Sequence, residues 1–142
     1  MSMYNLERFF PYHTHDYPQA LREIKAGEKE SHWIWYIFPQ LKGLGRSSRS
    51  LEFGIENADE AREYLRHTVL GADLIEITSA LLNLKDTNPV KIMGGEVDAL
   101  KLKSCMTLFA CVSDEGSVFH KVLDKFFGGE MDALTLSILN NP

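Results

Sequence analysis

Leu70, Leu74, Ile77, Leu81 and Leu84 step by four, three, four and three residues. That spacing lays them along one stripe of an α-helix facing a core. No clear alternation of apolar and polar residues, the mark of a half-buried strand, occurs elsewhere in the chain, so helices must supply the rest of the core. Start and stop signals locate them. Asp16 and Pro18 read as the N-cap and first residue of a short helix that Gly27 stops. Asn57 followed by Glu60 reads as a capping-box start for a helix ending near His67. Asn88 and Pro89 break the leucine helix and leave at most one turn over 90–93 before Gly94 and Gly95. Residues 97–112, 117–127 and 131–139 complete the set, with Gly128 and Gly129 closing the second of these. Residues 32–38, capped by Ser31 and ended by Pro39, carry apolar side chains pointing all ways, which suits a buried helix or a buried strand, and helix is the reading taken. The expectation is an all-α compact single-domain bundle of six to seven short helices, with a small hairpin near residues 33–55 as the one departure. A chain of 142 residues can bury such a core without disulfide or metal staples.

Twenty acidic against fifteen basic side chains leave a formal charge of -5. Such a chain repels a phosphate backbone, so no nucleic acid is expected as a partner. Cys105 and Cys111 are too few for a disulfide framework and lack a metal-ligand spacing. The expectation is a cytoplasmic protein with no metal and no resident cofactor, monomeric or a weak homo-oligomer. Residues 1–12 mix Glu7 and Arg8 into their apolar positions, so no secretory leader is expected. The longest apolar run, 33–39, falls far below the roughly 18 residues of a membrane-spanning helix. No membrane association is expected.

Within the helix at 97–112, a projection at about 100° per residue places Val97, Leu100, Leu102, Cys105, Leu108, Phe109 and Val112 on one arc, with Lys103 and Ala110 opposite. Lys101 sits in the middle of that arc, beside Ser104, with Asp98 one turn back. Two readings stay open. Lys101 either lines a pocket, as an anion donor or as a desolvated base or imine-forming amine, or packs its stem on the core and sends its head to Asp98 or to a carboxylate elsewhere.

Three other segments carry chemistry. Trp33, Trp35 and Tyr36, with His32 before them and Gln40 after, suit a planar heteroaromatic ligand held by stacking and edge hydrogen bonds, or simply fill the core. The segment 40–50 is the most basic stretch of the chain, with Lys42, Arg46 and Arg49. Its glycines Gly43 and Gly45 let backbone N–H groups approach a ligand, and Arg46 and Ser47 suit phosphate or carboxylate. It lacks the spacing and lysine of a P-loop, so a plain turn is the other reading. Asp132, with Thr135 three residues on, is the acidic candidate beside a glycine turn. No nucleophile elbow, HExxH, CxxC or GxGxxG is present, which leaves hydrolase, zinc-protease and Rossmann readings without a residue.

Taken together, Leu6-Glu7-Arg8-Phe9, then Lys29 through Gln40 with its His32-Trp33-Ile34-Trp35-Tyr36-Ile37-Phe38-Pro39 core, then Gly43-Leu44-Gly45-Arg46-Ser47, resemble the small, mainly bacterial family called domain of unknown function 1810. Tyr64-Leu65, Leu70-Gly71, Lys101-Leu102, Ser104, Met106 through Phe109 and Asp132 with Thr135 match its pattern in order. Pro11-Tyr12-His13, Thr68 after His67, and Cys105 depart from that pattern. The resemblance implies a mostly helical cytoplasmic domain and places His32, Gln40, Ser47, Lys101, Ser104, Thr107, Asp132 and Thr135 around its cleft. The order of elements is also distantly similar to a superfamily that processes NAD-derived or ADP-ribose-linked N-glycosidic compounds.

Two functions therefore compete. In the first, the chain binds or processes a small anionic planar ligand, nucleotide or ADP-ribose-like. Lys101, Asp132 and His32 supply charge or acid-base chemistry; Trp33, Trp35, Tyr36, Gln40, Gly43, Gly45, Arg46, Ser47, Ser104, Thr107 and Thr135 hold the ligand. In the second, the aromatic segment is exposed and docks a protein partner, with no catalysis. Tryptophans lining a concavity favour the first, and tryptophans on a convex surface the second.

Overall fold

The computed structural model describes residues 4–140; residues 1–3, the start of the stretch expected to lack a leader, lie outside them. A 3-10 turn, Leu6–Phe9, leads into α1 (Phe10–Lys25), α2 (Ile34–Ile37), α3 (Ser48–Phe53), α4 (Ala58–Arg66) and α5 (Leu70–Leu82). Then come α6 (Pro89–Met93), α7 (Glu96–Cys111), α8 (Val118–Phe127) and α9 (Ala133–Asn140). The described residues form no strand, so the fold is all-α as expected, but they hold nine helices where six to seven were expected: α3, whose N-terminus Ser47 caps, and the short α6 make up the difference. None of these helices is long and apolar enough to cross a membrane.

The sequence signals act as their chemistry requires at several ends. Asn57 caps α4 by accepting from the Glu60 N–H at 3.0 Å, while the Glu60 carboxylate reaches back to the Glu56 N–H at 2.7 Å and pairs with Arg8 at 2.8 Å. Asn88 caps α6 through the N–H groups of Val90 and Lys91. Gly128 ends α8 in the left-handed region at φ 62°. Leu70, Leu74, Ile77 and Leu81 of α5 are fully buried, as the stripe demands, whereas Leu84, the last of the stripe, falls beyond the helix end at Leu82 and is half-buried.

Three local expectations are corrected. The first helix begins at Phe10, not beside Asp16: Pro11 takes the first turn, where a missing N–H costs nothing, and Pro18 lies inside the helix on its exposed side. Burial of His13, Ala20, Glu23 and Ile24 along the same helix outweighs the one lost backbone bond. The helix expected over 32–38 contracts to the single turn of α2. No hairpin forms near 33–55. Leu41 and Ile55 make one isolated parallel bridge, with the Lys42 N–H donating to the Ile55 carbonyl at 2.7 Å and the Ile55 N–H to that of Gln40 at 2.8 Å. A hairpin would need the chain to reverse, whereas α3 carries it round to return in the same direction.

The core is threaded by an aromatic chain in which Phe53, Phe9, Tyr64, Phe109 and Phe119 follow one another at ring separations of 5.3 to 5.7 Å. Helix α7 runs through its centre, packed by α2, α4, α6, α8 and α9. That crowding corrects the single apolar arc drawn for it. Val97 and Leu100 at its start are exposed, whereas from Ser104 to Ala110 every residue is buried, Ala110 and Thr107 included. A helix surrounded on most sides has no polar face to read.

Candidate functional site

The segment between α1 and α2 turns tightly because one carboxylate organises it. Glu23 is buried and accepts from the Glu30 N–H at 2.8 Å, the Ser31 N–H at 2.9 Å, the Ser31 hydroxyl at 2.6 Å, the Trp33 indole N–H at 3.0 Å and the Gln19 amide at 2.7 Å. Burial alone would raise its pKa, but these donors outweigh it and bring the carboxyl down to about 2. The turn thereby fixes Trp33, only 1% exposed, and the Lys29 ammonium that lies 4.7 Å from its ring centroid.

Lys29 is buried and pairs with Asp98 of α7 at 2.8 Å. Lys101, one turn further along α7, reaches the other oxygen of Asp98 at 3.6 Å and lies 5.2 Å from the Trp35 ring centroid. Both readings of Lys101 are thus partly met: it pairs with Asp98, and its side chain, 28% exposed, also lines a hollow of about 210 Å³. Arg49 of α3 lines the same hollow and stacks near the rings of Tyr12, Phe53 and Tyr36, at 5.1, 5.8 and 5.9 Å. His32 stands exposed at the rim. Three cations and one carboxylate thus line the hollow over an aromatic floor, with Arg49 also pairing with Glu52 at 3.9 Å.

Tyr36 is held by its hydroxyl, which donates to the Asp16 carboxylate with the His32 carbonyl 3.1 Å away. Burial and the Asp16 bond push its pKa far up, so the phenol serves as a wall and not as an acid near neutrality. Burial also acts to raise the pKa of Asp16, but the bonds from Tyr36 and His15 prevail and keep it low.

Trp35 and Lys101 also line a second hollow of about 200 Å³, together with Gln40, Gly45, Ser104 and Asp132. The candidate residues of the sequence thus divide. His32, Trp33, Trp35, Tyr36 and Lys101 share the first hollow, and Trp35, Gln40, Gly45, Lys101, Ser104 and Asp132 the second. Gly43, Arg46, Ser47, Thr107 and Thr135 line neither. Ser47 caps α3 by accepting from the Ser50 N–H at 3.1 Å. Thr107 and Thr135 are fully buried: Thr107 donates to the Lys103 carbonyl at 2.8 Å and accepts from the Asp132 N–H, while Thr135 donates to Asp132 at 2.6 Å. Asp132 also accepts from the Thr135 N–H at 2.9 Å, so one of its oxygens is committed to the start of α9. Sequence reasoning gave no site role to Lys29 or Arg49. The signal for Arg49 was present in the basic stretch, but only the placement of α3 against Tyr12 and Tyr36 distinguishes it from Arg46. Among the described residues, no group of three His, Cys, Asp or Glu is placed to hold a metal ion.

A family model described as "Protein of unknown function (DUF1810)" matches residues 3–139. The chain is similar to a solved structure, the conserved hypothetical protein Rv1873 from Mycobacterium tuberculosis, at 37% identity over 99% of this chain and 100% of that one, with a TM-score of 0.94. Among curated proteins none matches.

Proposed function

The chain belongs to the DUF1810 family, and since that name assigns no reaction we propose a function from the cleft itself: binding of a small anionic ligand against the aromatic turn. The observation that carries the reading is the local charge. In a chain of formal charge -5, Lys29, Arg49 and Lys101 line one concavity in which Asp98 is the only carboxylate of the lining, while Arg49 also reaches Glu52 outside it at 3.9 Å. Lys29 is spent on Asp98 at 2.8 Å, which leaves Lys101, at 3.6 Å from Asp98, and Arg49, at 3.9 Å from Glu52 in an exposed pair, as the more loosely held groups able to turn to a ligand. An arginine gives the paired, planar donors that a phosphate or carboxylate accepts, and a lysine adds a mobile point charge. The tryptophans face this concavity, one buried and one half-buried, which supports a ligand site over a docking surface. We place the protein in the cytoplasm, in keeping with its two unpaired cysteines.

The test is a thermal-shift panel of pyrophosphate, nucleoside monophosphates, ADP-ribose and dicarboxylates against the wild type and Lys101→Met. A ligand that binds only the folded state at a hundredfold excess over its Kd adds about 2.7 kcal/mol of stability. Without ligand, Lys101→Met should stay within about 1 kcal/mol of wild type, because it removes one partly exposed ion pair and leaves Asp98 paired with Lys29. With ligand, the wild-type shift should vanish in the variant. A wild type that no anion stabilises, or a shift that survives undiminished in Lys101→Met and Arg49→Met, would refute the reading. Cleavage of an N-glycosidic bond is the reaction to assay on any ligand the panel identifies.

A further inference from the structure

The two hollows meet at a shared wall made by Trp35 and Lys101. Neither, at about 210 and 200 Å³, reaches the range of roughly 300 to 1,000 Å³ in which small-molecule pockets fall, so a ligand of that size would have to span both across the Trp35 and Lys101 side chains. Their linings differ. The first is ringed by charge, whereas the second gathers Val97, Leu100 and Leu134, large apolar side chains exposed at 68, 56 and 54%. Apolar groups collected round a concavity mark a contact surface more than a random surface does. The second hollow also contains a polar defect. Gln40 is 2% exposed and lines it, yet its Nε2 is buried and meets no hydrogen-bond partner. Buried amides are normally paired, and a half-turn of this one exchanges its N–H₂ and its oxygen. The Ser104 hydroxyl beside it donates to the Leu100 carbonyl at 3.1 Å and retains its acceptor capacity.

We propose that the second hollow is a subsite for a flat ring with polar edge atoms, joined in one molecule to the anionic group held in the first. The ring lies between the Trp35 wall and the Leu100 and Leu134 side chains, and its edge takes the Gln40 amide. Lys101 stands at the junction and meets the anion. The ligand class is a ring-bearing phosphate of nucleoside monophosphate size. This assignment rests on the anion-binding reading of the first hollow.

Nuclear magnetic resonance of the ¹⁵N-labelled protein tests it, because the chain has only two glutamines and two tryptophans to assign. Gln19, bonded to Glu23 at 2.7 Å outside the cleft, is the internal control. Pyrophosphate, adenosine and adenosine monophosphate are titrated in parallel. Adenosine monophosphate should move the Gln40 amide and the Trp35 indole signals, while pyrophosphate moves the Trp35 signal and leaves Gln40 still. Gln40→Met should weaken adenosine monophosphate at least tenfold, leave pyrophosphate within twofold, and melt no lower than wild type, since it deletes an unpaired buried amide. Pyrophosphate binding as tightly as adenosine monophosphate, with Gln40 unmoved, overturns the subsite and leaves the anion site standing. Adenosine moving Gln40 while pyrophosphate binds nowhere overturns the anion reading, and with it the ring-bearing phosphate as the ligand class, and leaves only a ring site at Gln40. Silence from all three probes overturns both. Gln40 signals that move with protein concentration alone overturn the proposal in favour of a second copy on the apolar rim.

Discussion

Glu23→Ala is expected to lose about 3 to 5 kcal/mol of stability, because it strips the acceptor from five donors at once. The Trp33 indole N–H is left buried without an acceptor, and the N–H groups of Glu30 and Ser31, on a partly exposed turn, are left to water. Glu23→Gln is the informative companion. One amide oxygen still serves those three donors, and the Ser31 hydroxyl and Gln19 amide can reorient towards the other position, so its loss at pH 7 should stay near the figure of about 3 kcal/mol that the charge itself contributes and below that of Glu23→Ala. The two also differ in their acid behaviour. The wild-type carboxyl sits at about 2 against its ordinary 4.5, so it binds a proton more weakly folded than unfolded. Its contribution is complete above pH 4.5 and is lost as pH falls towards 2, amounting to about 3 kcal/mol. Urea unfolding at pH 7, 4 and 3 should show the wild type losing about 2 kcal/mol of this increment by pH 3 and Glu23→Gln keeping a flatter profile. Parallel profiles would show that the Glu23 donors hold it no better folded than unfolded.

Gly71→Ala should be as damaging, for a steric reason. A Cβ at this position would lie 2.1 Å from the Leu65 carbonyl oxygen, 2.6 Å from its carbon and 2.9 Å from the Tyr64 oxygen. These are backbone atoms, so no rotamer change relieves the clash and α4 must part from α5. The expected loss is about 3 kcal/mol or more, since the displaced surfaces carry Leu70, Leu74 and Tyr64 of the core. In melting temperature that is roughly 10 °C or more for a chain of this length. A variant melting within about 2 °C of wild type would show that the helices part at little cost.

Much of the fold was legible because local chemistry decided it. The leucine stripe of α5 and the Asn57 cap of α4 need no tertiary information, and both form as the residues require. Pro18 misled because a proline usually starts a helix, while here burial of the segment on both sides carries the helix through it. The α7 arc misled for the opposite reason: a periodicity argument assumes one buried face, and five helices pack on this one. In the site, Lys101 and Trp35 stood out as a charge on an apolar face and an aromatic cluster. Lys29 and Arg49 did not, because their part depends on the Glu23 turn and on where α3 lands. The choice of Arg46 and Ser47 followed the loop's composition, which cannot tell a ligand-facing serine from one that caps a helix. Nor could the sequence reveal that Gly71 is needed for close approach, since only the neighbouring carbonyl of Leu65 makes it so.

The most direct measurement of the central claim is a crystal structure of the protein soaked with adenosine monophosphate. The phosphate is predicted to lie within about 4 Å of the Lys101 ammonium and the Arg49 guanidinium, with the base across Trp35 near Gln40. A cleft left empty at a concentration that saturates the solution titration, or a nucleotide ordered elsewhere on the molecule, would contradict the account.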